Sequence, residues 1–285
     1  MGTLLLITAL LIAWVIYRIQ PLSGHAHMER LERFHSSLAA DRDKVVICVG
    51  DSLTHGNVSF DYVHALASRL EPWGYTVINA GINSELAWNV LQRADRIVSA
   101  EPAFIVLLVG TNDARGCEDQ GAAKRYVKDM KLPQAPNEDF FFDSYRELLD
   151  EFGELKDARL ITVTLPPLGE RSGEEIDAVT DRFNAFIEEE ARQRGLPCVS
   201  LERVLREQLL ADAFEDTPAY SAKASNRLVL SSIFRRYLLG WSWKRISEGK
   251  RLKLLTDMIH LNKVSGGILV DRVEAKIKES PEGSD

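Results

Sequence analysis

Val45-Val46-Ile47-Cys48-Val49-Gly50-Asp51-Ser52-Leu53-Thr54-His55-Gly56 is the stretch on which the reading of this chain turns. Its first five residues are apolar, and four of them are β-branched, which suits a buried strand. The strand runs into a glycine-flanked serine, the shape of a turn that presents a nucleophile. A turn serine by itself is more often an ordinary surface residue, so its companions decide the matter.

Three further fragments supply them. Asn79-Ala80-Gly81 follows the run Tyr75 to Ile78, Gly110-Thr111-Asn112-Asp113 follows Phe104 to Val109, and Asp257-Met258-Ile259-His260 lies near the C-terminus. Singly, each has a bland reading: a turn glycine, a strand-terminal turn, a helix cap. Together, and in this order, they resemble the SGNH hydrolases, also called GDSL esterases, over about Lys44 to Lys276. The resemblance implies an acyl-enzyme on Ser52, with His260 as proton acceptor and donor and Asp257 orienting it. It also implies an oxyanion hole made by the backbone N–H groups of Ser52 and Gly81 and the side-chain amide of Asn112. Two departures stand out. Ile82-Asn83-Ser84-Glu85 replaces the second glycine and acidic residue usual in the family, and Met258 replaces a common glycine.

From Lys44 onward, apolar runs alternate with segments of helical period. The strands expected are Val45 to Val49, Thr76 to Ala80, Phe104 to Val109, Leu160 to Thr164 and Pro197 to Leu201. Helices are expected at Tyr62 to Leu70, Glu85 to Ser99, Phe140 to Phe152, Ile176 to Arg194 and Val264 to Lys278. This is the pattern of an α/β fold, a three-layer α/β/α sandwich around a central parallel five-stranded sheet. The resemblance makes it the flavodoxin-like fold of SGNH hydrolases. Ligands of such sheets bind beyond the carboxyl ends of the strands, which is where Ser52, Gly81 and Asn112 fall.

The chain has 285 residues, 45% of them hydrophobic, and a net charge of −7. One principal domain is expected, and no nucleic-acid partner, since phosphate-binding domains carry a basic excess. Cys48, Cys117 and Cys198 suggest neither a disulfide framework nor a zinc site. The Gly-x-Ser-x-Gly elbow, the phosphate-binding loop and His-Glu-x-x-His do not occur, so no cofactor is implied. His25, His27 and His35 lack the carboxylate or thiol partners of a metal site. His55 and His64, near the nucleophile motif, are alternative bases, and the aspartate three residues before His260 makes that residue the better candidate.

Two regions depart from the average composition. Residues 1–20 contain the uncharged run Thr3 to Tyr17 and are expected to form a membrane anchor or signal-anchor, with 21–43 as a stalk and 44–285 as the hydrolase domain. Arg18, Arg30 and Arg33 favour a cytoplasmic catalytic domain, while a periplasmic or extracellular one stays open. The insert 218–256 carries nine Lys and Arg residues from Lys223 to Lys253 against Glu248 alone. Within it Leu230, Ile233, Phe234, Tyr237, Leu238 and Trp241 fall at helical spacing, as in a basic amphipathic helix that packs on the domain, forms a lid or meets a lipid surface. Residues 116–139 are expected at the pocket rim. The leading substrates on this reading are lipid or lysophospholipid esters and acyl thioesters near a membrane. The alternative is carbohydrate O-deacetylation or the reverse acetyl transfer, and a reading of another class is a catalytically silent, membrane-tethered binding module.

Overall fold

The computed structural model describes residues 31–32, 42–58, 60–155, 157–212 and 216–279. Strand β1 (Val45–Gly50) leads into α1 (Ser52–His55) and α2 (Tyr62–Leu70), and β2 (Thr76–Gly81) into α3 (Ala87–Leu91) and α4 (Ala94–Val98). Next come β3 (Phe104–Leu108), α5 (Thr111–Glu118), α6 (Gln120–Asp129) and α7 (Glu138–Gly153), then β4 (Arg159–Val163) and α8 (Glu175–Gln193). The chain continues through β5 (Cys198–Val199), α9 (Leu201–Asp212), α10 (Ala222–Ile233), α11 (Trp243–Glu248) and α12 (Lys263–Lys278). All five strands pair in parallel, in the order β2-β1-β3-β4-β5.

Strand alternation divides the core in two. Val45, Ile47 and Val49 face a cluster with Ala87, Ile97, Phe141 and Phe183, so α3, α4, α7 and α8 cover one side. Val46 and Cys48 face Tyr62, Leu66, Leu205 and Val273, so α2, α9 and α12 cover the other. A sheet buried on both faces must be apolar throughout its strands, which is why these runs read as continuous hydrophobic stretches. From β1 the chain steps outward to β2, then returns to place β3 on the opposite side of β1. The segments leaving β1 and β3 therefore diverge, and a crevice opens between them at the carboxyl ends.

Three expected elements differ. The helix expected over Glu85 to Ser99 is broken into α3 and α4 because Arg93 leaves helical geometry, at φ −131° and ψ 12°. Its guanidinium turns inward to the buried Glu85 carboxylate, at 2.6 Å, and to the Ala80 carbonyl, at 2.8 Å. The strand expected over Pro197 to Leu201 is two residues long, since it pairs only with β4 at the sheet edge and Leu201 already starts α9. The apolar stripe Leu230 to Trp241 is α-helical only to Ile233. Phe234–Leu238 forms a π-helical turn, and Gly240, at φ 69°, ends it.

The expected anchor, residues 1–20, and most of the expected stalk lie outside the described residues. Within the stalk, Leu31 is buried in the core and Glu32 pairs with Arg96, so this part packs on the domain. Among the described residues, no helix is long and apolar enough to cross a membrane.

Breaking a buried ion pair leaves an uncompensated charge. Arg93→Ala is therefore expected to lower the free energy of unfolding in urea by about 3 to 5 kcal/mol. A loss below about 1 kcal/mol would show that the pair does not hold the α3–α4 break.

Candidate active site

Ser52 is the first residue of α1, and Asp51 caps the helix by accepting the Leu53 N–H at 2.9 Å. The N–H of Ser52 is thus one of the donors that a helix start leaves without an intrahelical acceptor. The Ser52 Oγ lies 2.9 Å from His260 Nε2. On the other side of the ring, His260 Nδ1 meets both Asp257 oxygens, at 2.9 and 3.0 Å. An ionised carboxylate only accepts, so Nδ1 carries the proton and Nε2 is left to accept the serine hydroxyl.

Asp257 is fully buried, which by itself would push its carboxyl up. The His260 imidazole, the ring and backbone hydrogen bonds of His260, and the Lys250 ammonium outweigh that and hold it below the usual range. Its loop is fixed from several sides. The Glu170 carboxylate accepts three successive N–H groups, from Lys253, Leu254 and Leu255, at 2.6 to 2.7 Å. Gly169 donates to the Met258 carbonyl at 2.9 Å. The Lys250 ammonium donates to the Thr256 carbonyl beside Asp257 and to the Leu228 carbonyl and Ser232 hydroxyl of α10. Burial lowers this lysine to about 8.

Ser52, Asn112 and His260 line one cavity of about 430 Å³, with Asp257 behind the histidine. Gly81, expected in the oxyanion hole, is not there. Its N–H is already given to Asn79 Oδ1 at 2.9 Å. Its lack of a side chain serves packing, since a Cβ at this strand end would come within 2.3 Å of the His55 nitrogen. The residues that line the cavity from this segment are Asn83 and Ser84, the latter in left-handed conformation at φ 67°. Met258, the other departure from the family pattern, is also left-handed, at φ 72°. Both departures thus mark positions where glycine would be at ease.

Sequence reasoning also missed Tyr126 and Arg115. The Tyr126 hydroxyl donates to Asn112 Oδ1 at 2.7 Å and accepts from Arg115 Nη1 at 2.9 Å. This fixes which way the Asn112 amide faces, with Nδ2 donating to the Glu85 carbonyl at 2.9 Å and Asp51 Oδ2 a long 3.5 Å away. No spacing rule ties Arg115 and Tyr126 to Asn112. The only hint is that they fall within and next to the 116–139 segment expected at the rim. Val229, Leu230 and Ile233 of α10 form an apolar wall with Val58 and Ile259, so the basic insert borders the site. His55 and His64 line a separate cavity of about 490 Å³.

A serine hydroxyl hydrogen-bonded to an imidazole that a buried carboxylate orients, at the switch point of a parallel α/β sheet, is the arrangement of a serine hydrolase. Residues 48–227 match the model of the GDSL-like lipase/acylhydrolase family, and the chain belongs to that family. It is a serine carboxylic ester hydrolase. The match ends before Asp257 and His260, whose placement rests on the geometry alone. No curated protein matches the chain. Among solved structures, the fold is similar to that of the acetyl xylan esterase AlAXEase (20% identity, TM-score 0.54, 82% of this chain and 99% of that one). It is also similar to a GDSL-like lipase from Bacteroides thetaiotaomicron (17%, 0.56, 89% and 98%). A third likeness is to an acetyl xylan esterase variant from Geobacillus stearothermophilus (14%, 0.55, 85% and 97%).

The corrected roles of the two positions predict opposite outcomes. Gly81→Ala is expected to destabilise by about 1 to 3 kcal/mol through overpacking. Ser84→Gly, which relieves a left-handed residue, is expected to add up to about 1 kcal/mol and keep ester turnover. Denaturant midpoints and a model-ester assay on both variants check this, and a destabilised Ser84→Gly would contradict it.

Asp51 and Asp113 supply a pH dependence. Burial pushes their carboxyls up to about 7 and about 8, against the lowering effect of the Leu53 and Ala87 N–H groups. Both bind protons more tightly folded than unfolded. Their contribution to stability is therefore complete below about pH 4 and is lost as pH rises towards 8. The denaturant midpoint is expected to fall between pH 5 and pH 8.5, and Asp113→Asn to shrink that fall. An unchanged pH profile in Asp113→Asn would refute the assignment.

Proposed function

We propose that Ser52, His260 and Asp257 carry out the ester hydrolysis of this chain through an acyl-enzyme. The observation that carries this is the continuous hydrogen-bond chain from Ser52 through His260 to Asp257. As Ser52 Oγ attacks the ester carbonyl, His260 Nε2 takes its proton, and Asp257 stabilises the imidazolium. The oxyanion receives the N–H groups of Ser52 and Ser84 and the Asn112 amide, which has only one close acceptor among its neighbours. Collapse breaks the bond to the alcohol, which leaves with the proton from Nε2. Water then attacks the acyl-serine, with His260 again as base, and releases the carboxylic acid.

The finer reading is removal of a short acyl group, acetyl foremost, from a carbohydrate ester. Its support is the likeness in fold to two enzymes described as acetyl xylan esterases, and a cavity that carries Asn83, Ser84 and Asn226 beside its apolar wall. One observation favours the lipid reading: Leu230 of that wall and Phe234, next in the chain to its Ile233, are 67% and 52% exposed, where a longer acyl chain would find cover. Should residues 1–20 anchor the chain, either reaction would take place at a membrane surface.

A para-nitrophenyl ester series from acetate to palmitate separates these readings. Acetate alone turning over supports deacetylation, and medium or long chains support the lipid reading. Silence across the series from a folded protein would revive the binding module. Ser52→Ala is expected to lower turnover by about 10⁴-fold or more, and Asn112→Ala by about 10² to 10³. Retained turnover in Ser52→Ala would refute the acyl-enzyme.

A further inference from the structure

The cavity that holds Ser52 and His260 is lined by two arginines, Arg115 and Arg125, and, among the described residues, by no Asp or Glu. Arg115 is 5% exposed. Its donors go to the hydroxyls of Tyr126 (2.9 Å), Ser225 (3.2 Å) and Tyr220 (3.3 Å) and to Asn226 Oδ1 (2.8 Å). All four acceptors are neutral, and one of its five N–H groups is left over. Among the described residues, neither arginine forms an ion pair. Arg125 lies over the Tyr126 ring, 5.4 Å from its centre, so the two guanidiniums flank one tyrosine.

An ion taken out of water without a counter-ion is costly, and buried charges in folded proteins are normally paired. Carboxylates near Arg115 make no direct contact with it. The Asp257 charge, behind His260, favours the guanidinium from a distance, but Asp257, Asp51 and Glu118 accept no hydrogen bond from Arg115, so none of them forms an ion pair with it. The polar contacts of Arg115 explain its orientation but not its charge. Four neutral acceptors would be served as well by a neutral donor set, whereas a guanidinium adds a planar cation suited to carboxylate or phosphate oxygens. Tyr126, which both arginines touch, also holds Asn112, so the positive charge lies beside the proposed oxyanion corner.

We propose that Arg115 and Arg125 form an anion subsite of this cavity, and that the substrate is an ester bearing a carboxylate or phosphate a few bonds from the scissile carbonyl. The inference rests on the ester-hydrolase reading and narrows its substrate class. An acidic acetylated sugar and a phosphate-bearing lipid ester share this chemistry.

The test compares kcat/KM for matched anionic and neutral esters on the full chain. Mono-para-nitrophenyl adipate against para-nitrophenyl hexanoate places a carboxylate on the acyl side. Para-acetoxybenzoate against its methyl ester places one on the alcohol side, and acetylglycerol phosphate against acetylglycerol places a phosphate there. At least one anionic-to-neutral ratio is expected to exceed about 10 and to fall about tenfold in Arg125→Gln and in Arg115→Gln, with partial recovery in Arg115→Lys. The pair that responds identifies the source. Arg125 is only half-buried, so its variant serves even if Arg115→Gln fails to fold. Neutral esters preferred in every pair, or ratios unmoved in both glutamine variants, would overturn the subsite while leaving the hydrolase reading intact. No turnover of any ester would remove that reading, and the subsite with it.

Discussion

The fully buried carboxylate of Asp257 is the constraint on which the site depends. A carboxylate at this depth takes up a proton unless donors converge on it. Here the Ile259 and His260 N–H groups, the His260 ring and the Lys250 charge do so. Pointing two successive N–H groups back at a side chain two and three residues earlier forces a tight turn, and Met258 takes the left-handed conformation to close it. The Glu170 carboxylate, reaching across from the segment after β4, gathers the three N–H groups that precede the turn. The position of His260 against Ser52 thus follows from how two buried acids are satisfied.

The insert is part of this arrangement rather than an appendage. Lys250 joins α10 to the Asp257 loop, and Arg115 joins α10 to the Asn112 side, so one helix is fastened to both halves of the site, by a half-buried and a buried cation. Several of its other cations stack on its own aromatics. Arg235 and Arg245 lie 5.2 and 3.9 Å from the Trp241 ring centre, and Arg236 lies 5.3 Å from that of Trp243. Such stacking leaves guanidinium edges free for hydrogen bonding while ordering the surface. The composition that suggested a lipid-facing arm therefore also serves internal packing.

What the sequence made legible follows from what is local. The strands could be read because a sheet buried on both faces demands unbroken apolar runs, and Ser52, Asn112, Asp257 and His260, which the structure brings together, stand in short motifs whose resemblance to a known family singles them out. Gly81 was misread because a strand-end glycine looks alike whether it frees an N–H or makes room for a neighbouring helix. The choice is made by Asn79 and His55, which are brought to it by local turn geometry and tertiary packing respectively. The break between α3 and α4 was hidden for the same reason. It serves Arg93, whose partners include the carbonyl of Ala80 on a strand that precedes it.

Ser84 and Met258 both hold a left-handed backbone conformation, which costs a non-glycine residue about 1 to 2 kcal/mol. Such strain persists only where the surroundings over-determine it. At Met258 they do, since its side chain is buried and its carbonyl accepts the Gly169 N–H. At Ser84 the side chain is exposed, and the constraint comes from the next residue, Glu85, which is locked to Arg93 through its carboxylate and to Asn112 through its carbonyl. The residue that follows Ser84 in the chain thus also accepts from the Asn112 amide. Two donors of the proposed oxyanion hole share one anchor, and that anchor is the buried ion pair that also breaks the helix.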